Sequence, residues 1–487
     1  MVSAALVAQA LPEVRVKELP KDAVKWRAVS LSDVLNTGKR LEASVFAIEG
    51  RLAREAVMAC EYGISDLHAL IQHAYYPGRF KRIYCDATQG VPFYLPSQMT
   101  DICPKPEKYI SALTKCDVAE LRLTRGNILL TRSGTIGNIT LVSNTLDGKV
   151  FSDDVIRITL RNNVDIGFLY TYFRSKIGNT ILQTNRYGSV IQHIEPEHLS
   201  DIPVPNATNS IKEKINALIM RSYDLRDKSN ELIDKATDTL IYELRLPNIH
   251  EFKTERFDHD HGVDNYSVKL SNLSGRLDGS YHVPIVKAVT GHLRKHAAEV
   301  LTVGDSRVSK EILLPGRFKR VYVEEGQGRV FFSGKNIMEL DPSDKKYLSF
   351  ARHENRIRDQ LTIRQNMILV TCSGTVGKVV LVPKHWDNWA MTHDIIRVIP
   401  NNSITGYLFI WLQSVYARRL IEAMAYGSVV PHIEKLHISE IAVPALANKA
   451  VQDKINSLAL EANTLRYEAY ALEQQALCIL NDEVIFA

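Results

Sequence analysis

The chain has 487 residues, of which 45% are hydrophobic and 24% charged, and its formal net charge is +5. That length fits two domains of roughly 200 residues with helical extensions, and the composition supports packed cores. No run of about 18 apolar residues is present, which excludes a membrane-spanning helix. The six cysteines show no metal-ligand spacing, so a disulfide framework is improbable and a reducing cytoplasm is expected. A charge this mild supports only a weak inference of an anionic partner.

The opening, Met1 to Leu11, is mildly apolar but lacks Lys and Arg, and it reads as an ordinary N-terminus rather than a signal peptide. Next comes the segment Pro77-Gly78-Arg79-Phe80-Lys81-Arg82-Ile83-Tyr84. Strands are predicted at Asn127 to Thr131, Asn138 to Val142 and Val155 to Leu160, where β-branched residues alternate between Gly, Asn and Asp punctuation. Ser133-Gly134-Thr135-Ile136-Gly137 lies between the first two strands. A helical patch from Phe168 to Ile181 leads to Tyr187-Gly188-Ser189-Val190 and His193-Ile194-Glu195.

A heptad series follows. Ile211, Leu218, Leu225 and Leu232 recur every seven residues, with Ile215, Ser222, Ser229 and Ala236 four residues on. Large residues at one seam position and small ones at the other favour two helices approaching closely.

The whole pattern then returns. Pro315-Gly316-Arg317-Phe318-Lys319-Arg320-Val321-Tyr322 stands 238 residues after the first copy, Ser373-Gly374-Thr375-Val376-Gly377 stands 240 after, and Tyr426-Gly427-Ser428-Val429 with His432-Ile433-Glu434 stands 239 after. Strands at Met367 to Thr371, Lys378 to Val382 and Ile395 to Ile399, and a helical patch from Tyr407 to Ile421, repeat the predicted elements. The second heptad series is Val451, Leu458, Leu465, Leu472 and Ile479, with Ile455, Ala462, Ala469 and Ala476. A near-constant offset across three motifs means tandem duplication. The predicted class is α+β: a tandem pair of mixed α/β domains with two long helices. The expected parts are a first domain at 1–205, a first long helix at 206–247, a linker at 248–265, a second domain at 266–444 and a second long helix at 445–487. A pseudo-twofold relation between the repeats would make the helices antiparallel. Each could also lie on its own domain.

These residues resemble the DNA-specificity subunit of type I restriction-modification systems. The resemblance is carried by the Ser-Gly-Thr-Ile/Val-Gly motif, the Tyr-Gly-Ser-Val segment running into His-Ile-Glu, and the stretches His198 to Pro205 and His437 to Pro444. Arg40 to Ser44, Arg276 to Ser280 and the helix starts at Lys214 and Lys454 also fit. The resemblance implies two target-recognition domains, each reading half of a split site in double-stranded DNA. It also implies helices that serve as spacer and docking surface, two adenine-methyltransferase subunits as partners, and a restriction/translocase subunit in the full complex. S-adenosylmethionine, ATP and Mg are expected on those partners, and no cofactor is expected on this chain. A recognition protein of another phage-defence system, or an independent enzyme, are the rival readings.

The residues support nucleic-acid binding on their own account. Arg79, Lys81 and Arg82, mirrored by Arg317, Lys319 and Arg320, put three cations in four residues beside an aromatic ring. Such groups neutralise phosphates, and Arg pairs bidentately with guanine. A solvated basic strand edge is the alternative. Arg132-Ser133-Gly134-Thr135 and Ser373-Gly374-Thr375 offer hydroxyls and amides to a phosphate. Equally, they could form a tight turn that needs glycine at positive φ.

Positions that differ between the repeats would carry discrimination: Arg132 against Cys372, Asn138 against Lys378, Asp153 against His393, and Ile191-Gln192 against Val430-Pro431. Gln192 could pair with adenine or simply pack. Ser189 and Ser428 complete the candidate contacts. Asp258-His259-Asp260-His261 has ligating side chains but no counterpart in the other repeat, so no metal site is expected. His193 and His432 read as hydrogen-bonded histidines rather than a catalytic pair. No phosphate-binding loop, dinucleotide fingerprint or methyltransferase motif is present, and the chain reads as non-catalytic.

Overall fold

The computed structural model describes residues 28–36, 41, 43, 45–187, 192–200, 202–252, 266–273, 275–342 and 345–487. The chain divides into two units: Met1–Asp227 with Glu468–Ala487, and Lys228–Tyr467.

In the first unit a four-stranded antiparallel sheet runs in the order Ile71–Tyr75, Val155–Leu160, Ile128–Thr131, Ile139–Leu141. A smaller sheet joins Lys108–Ser111, Gly90–Tyr94 and Val150–Phe151, the last pair parallel. Ile64–Asp66 pairs with Pro203–Pro205.

The second unit repeats this plan. Its main sheet runs Ser309–Leu313, Ile395–Pro400, Ile368–Thr371, Val379–Leu381. Its smaller sheet runs Tyr322–Val323, Lys346–Ser349, Gly328–Phe332, Ala390–Met391. The mixed helix-and-sheet class is therefore realised, and the duplication holds strand by strand in the main sheet, down to a register shift at the same point, Ile71/His73 and Ser309/Glu311; the second unit's smaller sheet has one strand more.

The central strand of each main sheet is apolar at almost every residue because both of its faces are covered. Ile128 and Leu130 face one core with Phe168, Leu169, Tyr172 and Ile215, whereas Leu129 faces another with Tyr94, Phe151 and Val155. Ile368 and Val370, against Leu369, divide the same way in the second unit.

Each predicted helical patch is two helices. Val164–Arg174 and Lys176–Thr184 are separated by Ser175, and Thr405–Gln413 and Val415–Ala423 by Ser414. Each serine is extended, and its side chain accepts from the amide of Gly178 or Ala417. That N-cap stabilises the second helix start. The sharp corner also brings Gly178 against the Tyr172 carbonyl, where an added Cβ would lie 2.0 Å from the oxygen.

The long helices are Asn209–Glu243 and Lys449–Leu480. Within the first unit, Ser222 Oγ donates to the Ala469 carbonyl at 2.7 Å and Lys214 Nζ meets Glu483 Oε1 at 3.1 Å. Within the second, Arg466 Nε donates to Ser229 Oγ at 3.4 Å. Rising numbers on one helix meet falling numbers on the other, so the pairing is antiparallel. The small series forms the tightest part of the seam: Ser222, Ser229, Ala236, Ala462, Ala469 and Ala476 are all fully buried. The flanking Leu218, Val451, Leu458 and Leu465 are only partly covered.

Each domain is also fastened to a long helix. Asn216 Oδ1 accepts from the Gly167 amide at 2.9 Å, and Asn456 Oδ1 from the Gly406 amide at 2.7 Å. A second fastening differs in chemistry. Asp227 accepts from Ser143 Oγ at 2.7 Å and from the amides of Asn144 and Thr145 at 2.9 and 3.0 Å. At the equivalent place Tyr467 stacks on His385, with centroids 6.3 Å apart, and carries Lys384 Nζ at 4.8 Å.

Candidate functional site

In the first repeat two of the motifs reach one pair of aspartates directly, and the third joins them through Arg132. Asp153 and Asp154 follow the short strand Val150–Phe151 and precede Val155–Leu160. Arg82 Nη2 meets Asp153 Oδ1 at 2.5 Å and Ser152 Oγ at 3.0 Å. Arg132, at the end of its strand, reaches Asp154 at 3.5 Å, pairs with Glu195 and donates to Tyr76 Oη at 3.3 Å. Tyr187 Oη donates to the same Glu195 at 2.6 Å. Burial raises the Glu195 pKa, but the hydrogen bonds from Arg132, Tyr187 and Tyr76 outweigh it and hold the carboxyl at about 2.

The second repeat keeps the backbone and changes the chemistry. The Cys372 amide donates to the Asp394 carbonyl at 3.1 Å, as the Arg132 amide does to Asp154. The thiol of Cys372 is buried, and that burial pushes its pKa up to about 12. Leu314 stands where Tyr76 does. The Tyr426 to Glu434 bond, at 2.8 Å, repeats that of Tyr187 to Glu195. Arg320 Nη2 meets Thr392 Oγ1 at 3.0 Å and His393 Nδ1 at 3.3 Å.

A fully buried arginine steadies each carboxylate loop. Arg157 donates to the carbonyls of Val155, Leu121 and Phe151 at 2.9, 3.2 and 3.3 Å. Arg397 donates to those of Ile395, Met391 and Thr392 at 2.6, 2.8 and 3.2 Å. Burial lowers the Arg397 pKa to about 10. These positioning arginines, with Tyr76 and Glu195, went unrecognised from sequence. The signal available was the paired exchange of Arg132 with Tyr76 for Cys372 with Leu314, two differences that belong to one contact.

The other candidate residues fall as follows. Arg79, Lys81, Arg317 and Lys319 are exposed, and Arg82 and Arg320 half-buried. Arg132 is turned inward, with its side chain 6% exposed. Ser133 and Ser373 are half-buried, while Thr135 and Thr375 are exposed. Gly134 and Gly374 both have φ +74°, and Gly137 and Gly377 have +95° and +85°, so the motif is a tight turn between strands. The amides of Asn138 and Lys378 close that turn onto Thr131 Oγ1 and Thr371 Oγ1, at 3.2 and 2.9 Å. Gln192 is half-buried and Ser428 exposed beside Gly427 at φ +100°. Ser189 and Asp258 to His261 lie outside the described residues. His193 and His432 pair through their backbones with Tyr187 and Tyr426.

No family model and no curated protein matches the chain. Among solved structures it is similar to the S subunit of a type I restriction-modification system from M. genitalium, with a TM-score of 0.33 and 13% identity over 88% of this chain and 96% of that one. It is similar to the HsdS subunit from Thermoanaerobacter tengcongensis, with a TM-score of 0.25 and 15% identity over 86% and 95%. A chain from a structure described as bearing on complex assembly and conformational transition of the type I R-M system gives 0.26 and 14% over 85% and 98%.

Proposed function

We propose that this chain is the DNA-reading, non-catalytic subunit of a restriction-modification assembly. Each domain binds one half of a bipartite site in double-stranded DNA, and two methyltransferase subunits dock on the chain. Restriction/translocase subunits join them in the full complex. The observation that carries this reading is the twofold occurrence of one cationic site. In both repeats an Arg-Phe-Lys-Arg segment, a glycine turn and the tyrosine and histidine that bracket the Tyr-Gly-Ser-Val motif come from distant parts of the sequence. Exposed Arg and Lys supply sequence-independent affinity through phosphates, and Arg also reads guanine edges. The equivalent positions carry different side chains, as two unlike half-sites require. S-adenosylmethionine on the partner subunits would supply the methyl group, and ATP and Mg serve the restriction subunits; binding and orientation are this chain's part.

The test is to sequence methylated adenines in the host genome with and without the gene. A two-part motif that disappears with the gene supports the reading, and an unchanged methylation pattern sinks it.

A further inference from the structure

The two copies of the site are electrically unequal. Residues 284–445 hold 22 Lys and Arg against 15 Asp and Glu, a formal +7, whereas residues 48–205 hold 17 against 16, a formal +1. The inequality reaches the site itself. In the first repeat the Arg82 guanidinium is matched by Asp153, whose side chain is 5% exposed. Burial works against the Arg82 cation, but the Asp153 hydrogen bond and charge more than offset it, so Arg82 stays charged. The carboxylate sits where an oxyanion from a ligand would sit.

In the second repeat that place belongs to a ring. His393 Nδ1 accepts from Arg320, and Nε2 lies 3.3 Å from Asp394 Oδ1, an arrangement that assigns the proton to Nε2. Burial lowers the His393 pKa against the opposing charge of Asp394, and Arg320, Arg317 and Arg397 add to the lowering. A neutral imidazole thus orients Arg320 without adding a negative charge, and the carboxylate that does pair with it, Asp394, is 38% exposed and looser, at 3.9 Å.

A second cation flanks the same aromatic group. The stretch 350–360 carries Arg352, Arg356 and Arg358, where the first repeat's 112–120 carries only Lys115. Arg356 Cζ lies 5.0 Å from the Phe318 ring centre, and Nη1 donates to the Gly316 carbonyl at 2.8 Å. The His353 and His393 rings lie 5.3 and 6.4 Å from the same phenyl ring. Phe318 packs edge-on to Phe331, over which Arg320 sits at 5.5 Å.

We infer that Arg320 and Arg356 form a backbone-phosphate site for double-stranded DNA in the second repeat, and that Asp153 fills its counterpart in the first. The second domain is then the salt-sensitive anchor, while the first depends more on its other contacts. This rests on the DNA reading above.

The test uses the full-length chain and a short fluorescein-labelled duplex of mixed sequence, with anisotropy followed over a salt series. His393→Asp rebuilds the first repeat's own ion pair, so its fold is not at risk. It should weaken binding several-fold and flatten the salt slope by about one phosphate. Arg356→Ala should do the same. Asp153→His should act oppositely, tightening binding and steepening the slope, a gain that misfolding cannot produce. Wild-type binding with a slope that none of the three changes moves would overturn the anchor and leave the DNA reading standing. A wild-type chain with no salt-dependent affinity for any duplex would remove both.

Discussion

Arg226 on the first long helix and Glu473 on the second form a buried ion pair within the unit of residues 1–227 and 468–487. Glu473 is 2% exposed and also accepts from Tyr170 Oη and Arg174 Nε, each at 3.0 Å. Burial disfavours the Arg226 cation, but the carboxylate beside it wins and its pKa rises. Across the repeat, Arg466 takes the place of Arg226 and Ile233 that of Glu473. Arg466 turns instead to Ser229 and to Asn230 Oδ1 at 3.5 Å. A seam that is apolar and small elsewhere therefore carries a different polar contact in each unit, a device that can specify register.

Glu473→Ala should leave two buried guanidinium groups without their carboxylate and cost about 3–5 kcal/mol. Replacing Arg226 and Glu473 together by Met should recover much of that loss. Urea unfolding of the full chain reads both, and an unchanged midpoint for Glu473→Ala would contradict the assignment.

Gly406→Ala and Gly167→Ala should each loosen a domain from its long helix. An added Cβ would lie 2.2 Å from the Asn456 carbonyl oxygen in one case and 2.6 Å from Asn216 Cα in the other. Backbone cannot move aside as a flexible side chain can, so each change should cost about 1–3 kcal/mol. Thermal unfolding with the same midpoint as wild type would show that the helix yields freely.

The Glu195 carboxyl, held at about 2 against an ordinary 4.5, contributes stability that is complete above pH 4.5 and is lost as pH falls through about 2. The shift is equivalent to roughly 3 kcal/mol. The double change Arg132→Cys with Tyr76→Leu imports the second repeat's residues and should remove this term. The stability gap between it and wild type should be wide at pH 7 and narrower at pH 3. A gap that stays constant with pH would assign the loss to packing alone.

Arg79→Ala and Arg317→Ala remove exposed cations from equivalent places. A lost phosphate contact would weaken binding to all sequences and flatten the salt slope by about one unit, whereas a lost guanine contact would relax one base by roughly 1–3 kcal/mol. Competition assays with mixed-sequence duplexes distinguish the two. Equal affinity and selectivity in both variants would return these residues to a solvated strand edge.

The duplication, the central strands and the glycine turns were legible along the chain because each is written in local spacing. Ile128 to Thr131 and Ile368 to Thr371 are apolar runs of strand length, and Gly134 and Gly374 take a φ that other residues resist. The antiparallel helix pair was legible too, since seven-residue periodicity and a repeat symmetry together leave few arrangements. The breaks at Ser175 and Ser414 were not, because a serine N-cap inside an amphipathic run leaves the apolar period almost intact.

What only the tertiary structure decided is which cations are already matched. Arg132 looked like a ligand-binding residue beside a glycine turn, yet its side chain faces Glu195, 63 positions away, and Asp154, 22 away. Arg82 and Arg320 occupy the same place in identical Arg-Phe-Lys-Arg segments, but one meets Asp153 and the other His393. A sequence determines how many charges a segment holds. Whether a charge faces outward or is closely matched depends on which carboxylate the fold brings into direct hydrogen-bonding contact, and on how deeply that carboxylate is buried, because ion pairing falls off with separation and strengthens as water is excluded.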